Sequence, residues 1–166
     1  MTPSALQSEL RDSRANLFTS IHGLTEEQFR FAPAADAWSI ATHLAHLLRI
    51  ERLFQERASR ALAEDEPHMA STRVANDDDP SLAQHLAVPQ IIHGMQAARR
   101  DLDALLERCD DAALERAIVH ERIGRMTIEQ IAMKMVQHER EHTTEIEVVA
   151  RLAPDVAAAI PLAPRS

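Results

Sequence analysis

The sequence contains one cysteine, three glycines, no tyrosine and only 3% aromatic residues among its 166 residues. A single cysteine, Cys109, excludes an internal disulfide bond and fits a reducing compartment, so we interpret it as a small packing residue. Glycine-rich turns and aromatic, β-branched strands are typical of β-sandwiches and barrels, and this composition argues against both. No run of about 18 apolar residues occurs, so we expect no membrane-spanning helix.

The charge balance argues against a nucleic-acid partner. Acidic residues number 26 against 18 basic residues, which gives a formal net charge of −8. An acidic surface repels phosphate groups, so we expect no nucleic-acid partner. The first residues, MTPSALQSELRDSR, carry acids and no apolar run. We therefore expect no secretory signal and a cytoplasmic location.

Apolar residues recur at three- and four-residue spacing through four long segments, which predicts four amphipathic helices. These helices are expected at about 4–22, 39–62, 90–109 and 127–152. The prediction is an all-α, four-helix bundle over residues 1–152, with long connections between helices, followed by an irregular tail at 153–166 that contains three prolines. We expect no β-sheet of three or more strands.

Local signals mark where several of these segments begin. Pro89 predicts either a helix that begins after it or a kink, in a segment whose apolar pattern starts near Ser81. Residues that favour helix starts through side-chain caps are Ser39 and the pairs Thr25 with Gln28 and Thr127 with Gln130.

The most informative polar residues are two histidines in the fourth segment. His138 and His142 are four residues apart, on the arc that also carries Ile131 and Val149. Both imidazoles are therefore expected to face the core, one turn apart, where they can reach a single metal ion. The alternative is a pair of hydrogen-bonded core histidines without a metal.

A third ligand must come from another helix, and the second segment offers His43 and His46. Helical phase places His43 nearer the centre of the apolar arc and His46 toward its edge. The pattern alone leaves the choice between them open. We expect the other five histidines at the surface, namely His22, His68, His85, His93 and His120.

The string HEREH at 138–142 also matches H-E-x-x-H, the zinc peptidase signature, in which Glu139 would act as general base. The metzincin extension requires a glycine and a histidine where this chain has Glu145 and Val148, and we see no strand-like segment before the helix. We therefore disfavour a peptidase. A carboxylate di-iron site requires a second E-x-x-H motif, which this sequence does not supply, and no haem-binding pattern is present.

Several motifs together resemble the DinB-like (DinB/YfiT) superfamily. They are Trp38-Ser39-Ile40 followed by His46, the G-x-x-T turn of Gly124 and Thr127, and the pair His138 and His142. The resemblance spans about residues 4–152 and implies a four-helix bundle, often a dimer. It also implies a divalent metal bound by three histidines, which here correspond to His46, His138 and His142.

The resemblance implies an activity class more loosely. Some relatives are S-transferases or isomerases that use a low-molecular-weight thiol, and others are metal-dependent hydrolases. We expect an ion on three neutral imidazoles to keep an open position and to activate a thiol or water at neutral pH. Zinc suits such ligands best, and nickel is an alternative. The prediction is thus a metal-dependent enzyme, a thiol S-transferase acting on a small molecule, with unknown catalytic residues.

Other interpretations stay open at this stage. The alternatives are a metal-dependent hydrolase, a non-catalytic bundle in which the ion ties two helices together, and a metal-free polar core. With His46 as the ligand, the resemblance implies that His43 lies beside the site or in the core. Glu51 and Glu139 could orient a ligand or move a proton, although solvated helix carboxylates are commoner. We also expect a homodimer, because the apolar residues Leu17, Phe18, Leu105 and Leu106 need not all face one core.

Overall fold

The computed structural model describes residues 1–70, 83 and 85–154. The polar connection around 71–82, including the expected segment start near Ser81, lies outside the described residues, and so does nearly all of the predicted tail. In chain order the described elements are α1 (Pro3–Ser20), α2 (Glu26–Arg30), α3 (Ile40–Ala63), β1 (His68–Met69), α4 (Val88–Leu106), α5 (Asp111–Leu114), β2 (Ala117–His120), β3 (Gly124–Thr127) and α6 (Ile128–Leu152).

The four long helices α1, α3, α4 and α6 form the bundle, which confirms the predicted fold class. Their ends lie within a few residues of the predicted ones. Helix α3 begins after Ser39, whose hydroxyl accepts a hydrogen bond from the Thr42 N–H. Helix α6 begins with the predicted capping box of Thr127 and Gln130. Such caps satisfy backbone N–H groups that have no partner within the helix, so the sequence specifies these ends locally.

Helix α4 starts at Val88, one residue before Pro89. The proline therefore occupies the first turn, where its missing N–H removes no helical hydrogen bond. The expectation of a start after Pro89, or of a kink there, is corrected by this placement.

A small three-stranded sheet joins α5 to α6, and it contradicts the expectation that no such sheet exists. Strand β2 pairs in parallel with the two-residue β1 and antiparallel with β3, in the order β1-β2-β3. The turn of the β2–β3 hairpin ends at Gly124, whose φ of +84° is accessible to glycine at little cost. The strands have only two to four residues, too few for a period-two pattern to be recognised.

His120 lies in this hairpin and is buried, so its predicted surface position is wrong. Its Nδ1 accepts hydrogen bonds from the backbone N–H groups of Arg122 and Ile123. Burial lowers the pKa of His120. The side chain thus stabilises the hairpin turn in its neutral form.

The buried apolar side chains form two clusters along the bundle. The sheet-side cluster lies beneath the strands and includes Leu6, Leu10, Phe54, Leu102, Ile118, Ile131 and Met135. The histidine-side cluster lies at the other end and includes Leu17, Ile40, Leu44, Ile91, Met95 and Ile146. Each long helix contributes to both clusters.

A layer of four buried charges separates the two clusters, and we call it the charge quartet. Arg14, Glu51, Arg99 and Glu139 come from α1, α3, α4 and α6, and none is more than 8% exposed. The Arg14 Nη2 donates to Glu51 Oε2 at 2.6 Å and to Glu139 Oε2 at 2.9 Å. Arg99 donates to the same two carboxylates at 2.6 and 2.8 Å. The two positive and two negative charges therefore compensate each other.

The guanidinium groups also satisfy backbone carbonyls. Arg14 donates to the Met95 carbonyl at 2.8 Å, and Arg99 donates to that of Leu10. Buried charges are tolerated only when such partners exist, since desolvating an unpaired ion is very unfavourable. The quartet therefore restricts how the four helices can slide or rotate relative to one another.

The residues from which a dimer was expected are largely covered within one chain. Leu17, Leu105 and Leu106 are buried, and Phe18 packs in part against the histidine-side cluster. This observation removes the sequence argument for a dimer interface, and the homodimer stays a prediction. In the described part of the chain, no helix is long and apolar enough to cross a membrane.

Replacing Glu139 with Gln should destabilise the fold. Gln keeps the shape of the side chain, but the two buried arginines lose half of their compensating charge. We expect urea denaturation to show a free energy of unfolding lower by about 3 kcal/mol.

The matched control is Glu9→Gln, which removes an exposed ion pair with Arg140 between the same two helices, α1 and α6. That change should cost less than about 1 kcal/mol. Equal effects of the two substitutions would show that the quartet contributes no more than a surface pair.

Candidate metal centre

The candidate site is built where α3 and α6 face each other. His43 and His46 lie in the first two turns of α3, and His138 and His142 lie one turn apart near the middle of α6. The Ser39 cap fixes where α3 begins, and the i, i+4 spacing keeps both α6 imidazoles on one face.

Three of these residues, His46, His138 and His142, form what we call the histidine triad. One ring nitrogen of each lies within 4.8 Å of a nitrogen of the other two. The Nε2 atoms of His46 and His138 are 2.9 Å apart. All three side chains are half-buried, and imidazole nitrogens are ligands that zinc and nickel accept. The structure thus brings together the three residues named from the sequence, as a set that fits a divalent ion.

His43 lies deeper than His46, with 5% of its surface exposed, as helical phase predicted. It is nevertheless absent from the triad, because its ring turns toward His142 instead. The Nδ1 atoms of His43 and His142 are 2.9 Å apart. Depth in the core is therefore a poor guide to which α3 histidine meets His138.

Burial favours the neutral forms of His43, His138 and His142. Burial, and then the neighbouring His142 and His46, lower the pKa of His43 to about 4. Burial and then His138 lower the pKa of His142 to about 4. Burial also lowers the pKa of His138. Neutral imidazoles offer lone pairs to a metal, so this environment prepares the residues for ligation.

Trp38, one residue before the α3 cap, covers the site. Its ring stacks on that of His142 with a centroid distance of 5.7 Å and an interplanar angle of 4°. Its centroid also lies 5.1 Å from that of His43 and 5.0 Å from that of His46. Trp38 is the only tryptophan, and the chain has no tyrosine, so intrinsic fluorescence reports on this site.

A cavity of about 510 Å³ opens beside the histidines. Part of its wall is apolar and is formed by Pro33, Trp38 and Val148. His43, His142 and Glu145 supply polar groups to the same cavity. Glu145 Oε2 lies 3.0 Å from His142 Nδ1, and its side chain is 59% exposed. The site is therefore reachable by a small molecule.

Neither interpretation of Glu51 and Glu139 from the sequence holds. Both belong to the charge quartet, so they are not solvated, and their oxygens already accept hydrogen bonds from Arg14 and Arg99. Glu139 is 2% exposed, and its carboxylate oxygens are engaged by the two guanidinium groups. It is therefore not available as the general base that the H-E-x-x-H pattern would require.

The remaining histidines and the cysteine lie away from the site. His22, His68, His85 and His93 are exposed, as predicted. Cys109 packs against the sheet-side cluster, and burial raises the pKa of its thiol. It acts as a packing residue in that cluster, which agrees with the interpretation from the sequence.

The family model of the DinB superfamily matches residues 9–146, a range that includes most of each long helix and all the site histidines. The chain belongs to the DinB superfamily. A curated relative, the uncharacterized protein YuaE of Bacillus subtilis (strain 168), is 22% identical over 154 residues, covering 86% of this chain and 95% of YuaE.

This DinB-superfamily chain also resembles a solved structure, YfiT from Bacillus subtilis. YfiT is described as a probable metal-dependent hydrolase with an unusual four-helix bundle topology. The TM-score is 0.78 at 17% identity, over 90% of this chain and 86% of YfiT. At this level of identity the likeness establishes the shared fold.

The lowered histidine pKa values make the stability of the metal-free protein depend on pH. A histidine with a pKa near 6.5 when unfolded and about 4 when folded takes up its proton first in the unfolded state. The free energy of unfolding should therefore fall as pH drops from 6.5 toward 4, by up to about 3 kcal/mol for His43. Urea denaturation between pH 6.5 and 5 measures the slope before most carboxylates titrate.

The matched variants for this measurement are His43→Gln and, at an exposed position on α4, His93→Gln. The first should reduce the dependence on pH without removing it, because burial also lowers the pKa values of His138 and His142. The second should leave the dependence unchanged. A His43→Gln protein with the slope of the wild type would contradict the assignment.

Proposed function

We propose that this protein is a divalent-metal-dependent enzyme that joins a low-molecular-weight thiol to an electrophilic small molecule. The observation that carries the proposal is the convergence of three imidazoles beside an open, partly apolar cavity. His46, His138 and His142 would hold the ion, with zinc favoured and nickel possible as the native metal.

The ion, when bound, supplies a Lewis-acidic centre that lowers the pKa of a thiol or of water. The thiol must arrive as a co-substrate, since Cys109 lies in the sheet-side cluster with a raised pKa. In the transfer, a bond forms between the thiol sulfur and a carbon of the second substrate, the bond from that carbon to its leaving group breaks, and the sulfur loses its proton.

This chain's own residues contribute positioning and proton transfer. Glu145 is exposed to the cavity and 3.0 Å from His142, so its carboxylate can accept the departing proton and pass it to solvent. Trp38 and Val148 offer an apolar surface to the body of the second substrate. An open cavity beside the triad favours catalysis over a purely structural metal, which is normally enclosed by four ligands.

Hydrolysis is the second candidate, because the same site would activate water as readily as a thiol. The similar structure of YfiT is described as a probable metal-dependent hydrolase. The acceptor of the proton would again be Glu145.

Purified without a nickel column, the protein should contain about one equivalent of a divalent metal, as elemental analysis will show. His138→Ala should weaken zinc binding by more than about 100-fold, because the substitution removes a proposed ligand. His43→Ala should weaken it by about 10-fold at most, the smaller effect of removing a neighbour of a ligand. If His43 proves necessary and His46 dispensable, the assignment of the triad is wrong.

Activity distinguishes the candidates. The zinc-loaded and nickel-loaded proteins should accelerate the conjugation of glutathione, bacillithiol or mycothiol to an apolar alkyl halide, and His142→Ala should abolish this rate. Ester hydrolysis without thiol conjugation would favour the hydrolase. Raised thermal stability on metal loading, with neither activity, would favour a structural ion.

A further inference from the structure

A second group of three potential ligands lies on the cavity side of the triad. His43 Nδ1 and His142 Nδ1 are 2.9 Å apart, and Glu145 Oε2 lies 3.0 Å from His142 Nδ1 and 3.5 Å from His43 Nδ1. Donors that bind one zinc ion tetrahedrally at about 2.1 Å are about 3.4 Å apart. Small side-chain rotations would therefore place these three atoms around one ion.

We propose that His43, His142 and Glu145 form an outer site, which binds a divalent ion from the cavity before the ion moves inward to the histidine triad. The outer site and the triad share His142, which lines the cavity and also belongs to the inner group. The proposal depends on the proposed function only in taking the triad as the final position of the ion.

The charges of the two groups suit successive roles. The triad consists of three imidazoles, which bind a metal as neutral ligands. The outer site instead includes the Glu145 carboxylate, whose side chain is 59% exposed. A carboxylate at the mouth of a cavity attracts a cation from solvent. His43 is 5% exposed and supplies a fixed nitrogen behind it. The ion thus meets a mobile anionic ligand first and fixed neutral ligands afterwards.

The shared histidine makes the two positions alternatives. A neutral imidazole has one nitrogen with a free lone pair, and the other carries a proton. His142 therefore donates to one ion at a time without losing a second proton. Wild-type protein should bind one ion at equilibrium, and the outer site should be the weaker position because one of its ligands is exposed and loses freedom on binding.

Removing the triad without disturbing the outer site provides a direct test. The double variant His46→Ala with His138→Ala keeps His43, His142 and Glu145. Nickel chloride and zinc chloride are titrated into each protein, with calorimetry for stoichiometry and Trp38 fluorescence for location. We expect the double variant to bind about one ion, at least about 100-fold more weakly than wild type.

Adding His43→Ala to the double variant should weaken the residual binding by a further 10-fold or more, and adding Glu145→Gln should have a similar effect. The matched control adds His93→Ala, a change at an exposed histidine on α4, and should have no effect. If the double variant binds no ion, or if its binding does not depend on His43 and Glu145, the outer site is overturned. Circular dichroism verifies that each variant is folded.

If the double variant does not fold, a kinetic measurement on proteins that keep the triad tests the outer site instead. Stopped-flow quenching of Trp38 by nickel should show slower association and slower dissociation for Glu145→Gln, each by about 5-fold or more, with a smaller change in affinity. Unchanged rates overturn the outer site.

The two proposals fail in distinguishable ways. Tight wild-type binding that needs His138, with no residual binding in the double variant, leaves the triad standing and removes the outer site. If the double variant binds an ion through His43 but the wild-type protein shows no tight binding, the outer site stands and the triad is removed.

Discussion

Arg14, Glu51, Arg99 and Glu139 meet in one layer across the middle of the bundle, with one residue from each long helix. Buried ions of this kind are compatible with a stable fold only when every charge finds its partner. The layer therefore sets the register of the four helices. The position of the candidate metal site follows from this register, since His138 precedes Glu139 on α6 and His46 lies little more than one turn before Glu51 on α3.

The quartet also decides what the E of H-E-x-x-H does here. On a helix that presents His138 and His142 to one side, Glu139 points to another, about 100° from His138 and about 60° from His142. That direction leads to Arg14 and Arg99, so Glu139 stabilises the bundle. Glu145, one turn beyond His142, is a carboxylate that does face the cavity.

Much of the fold was predictable because its determinants are local. Helical periodicity, the Ser39 cap and the capping boxes of Thr25 and Thr127 depend only on residues a few positions apart, and the structure confirms each of them. The two α6 histidines were predicted to share a face for the same reason. The short strands β1, β2 and β3 were missed, because two to four residues carry too little pattern. In addition, β1 lies about 50 residues before β2, its pairing partner.

The sequence by itself determined the four helices and the common face of His138 and His142. It could not show that the four charges of the quartet meet, because pairing depends on how four helices pack. Nor could it choose between His43 and His46, since helical phase measures depth in the core. The crossing of α3 and α6 places His46 opposite His138 and turns His43 toward His142, and only tertiary packing fixes that crossing.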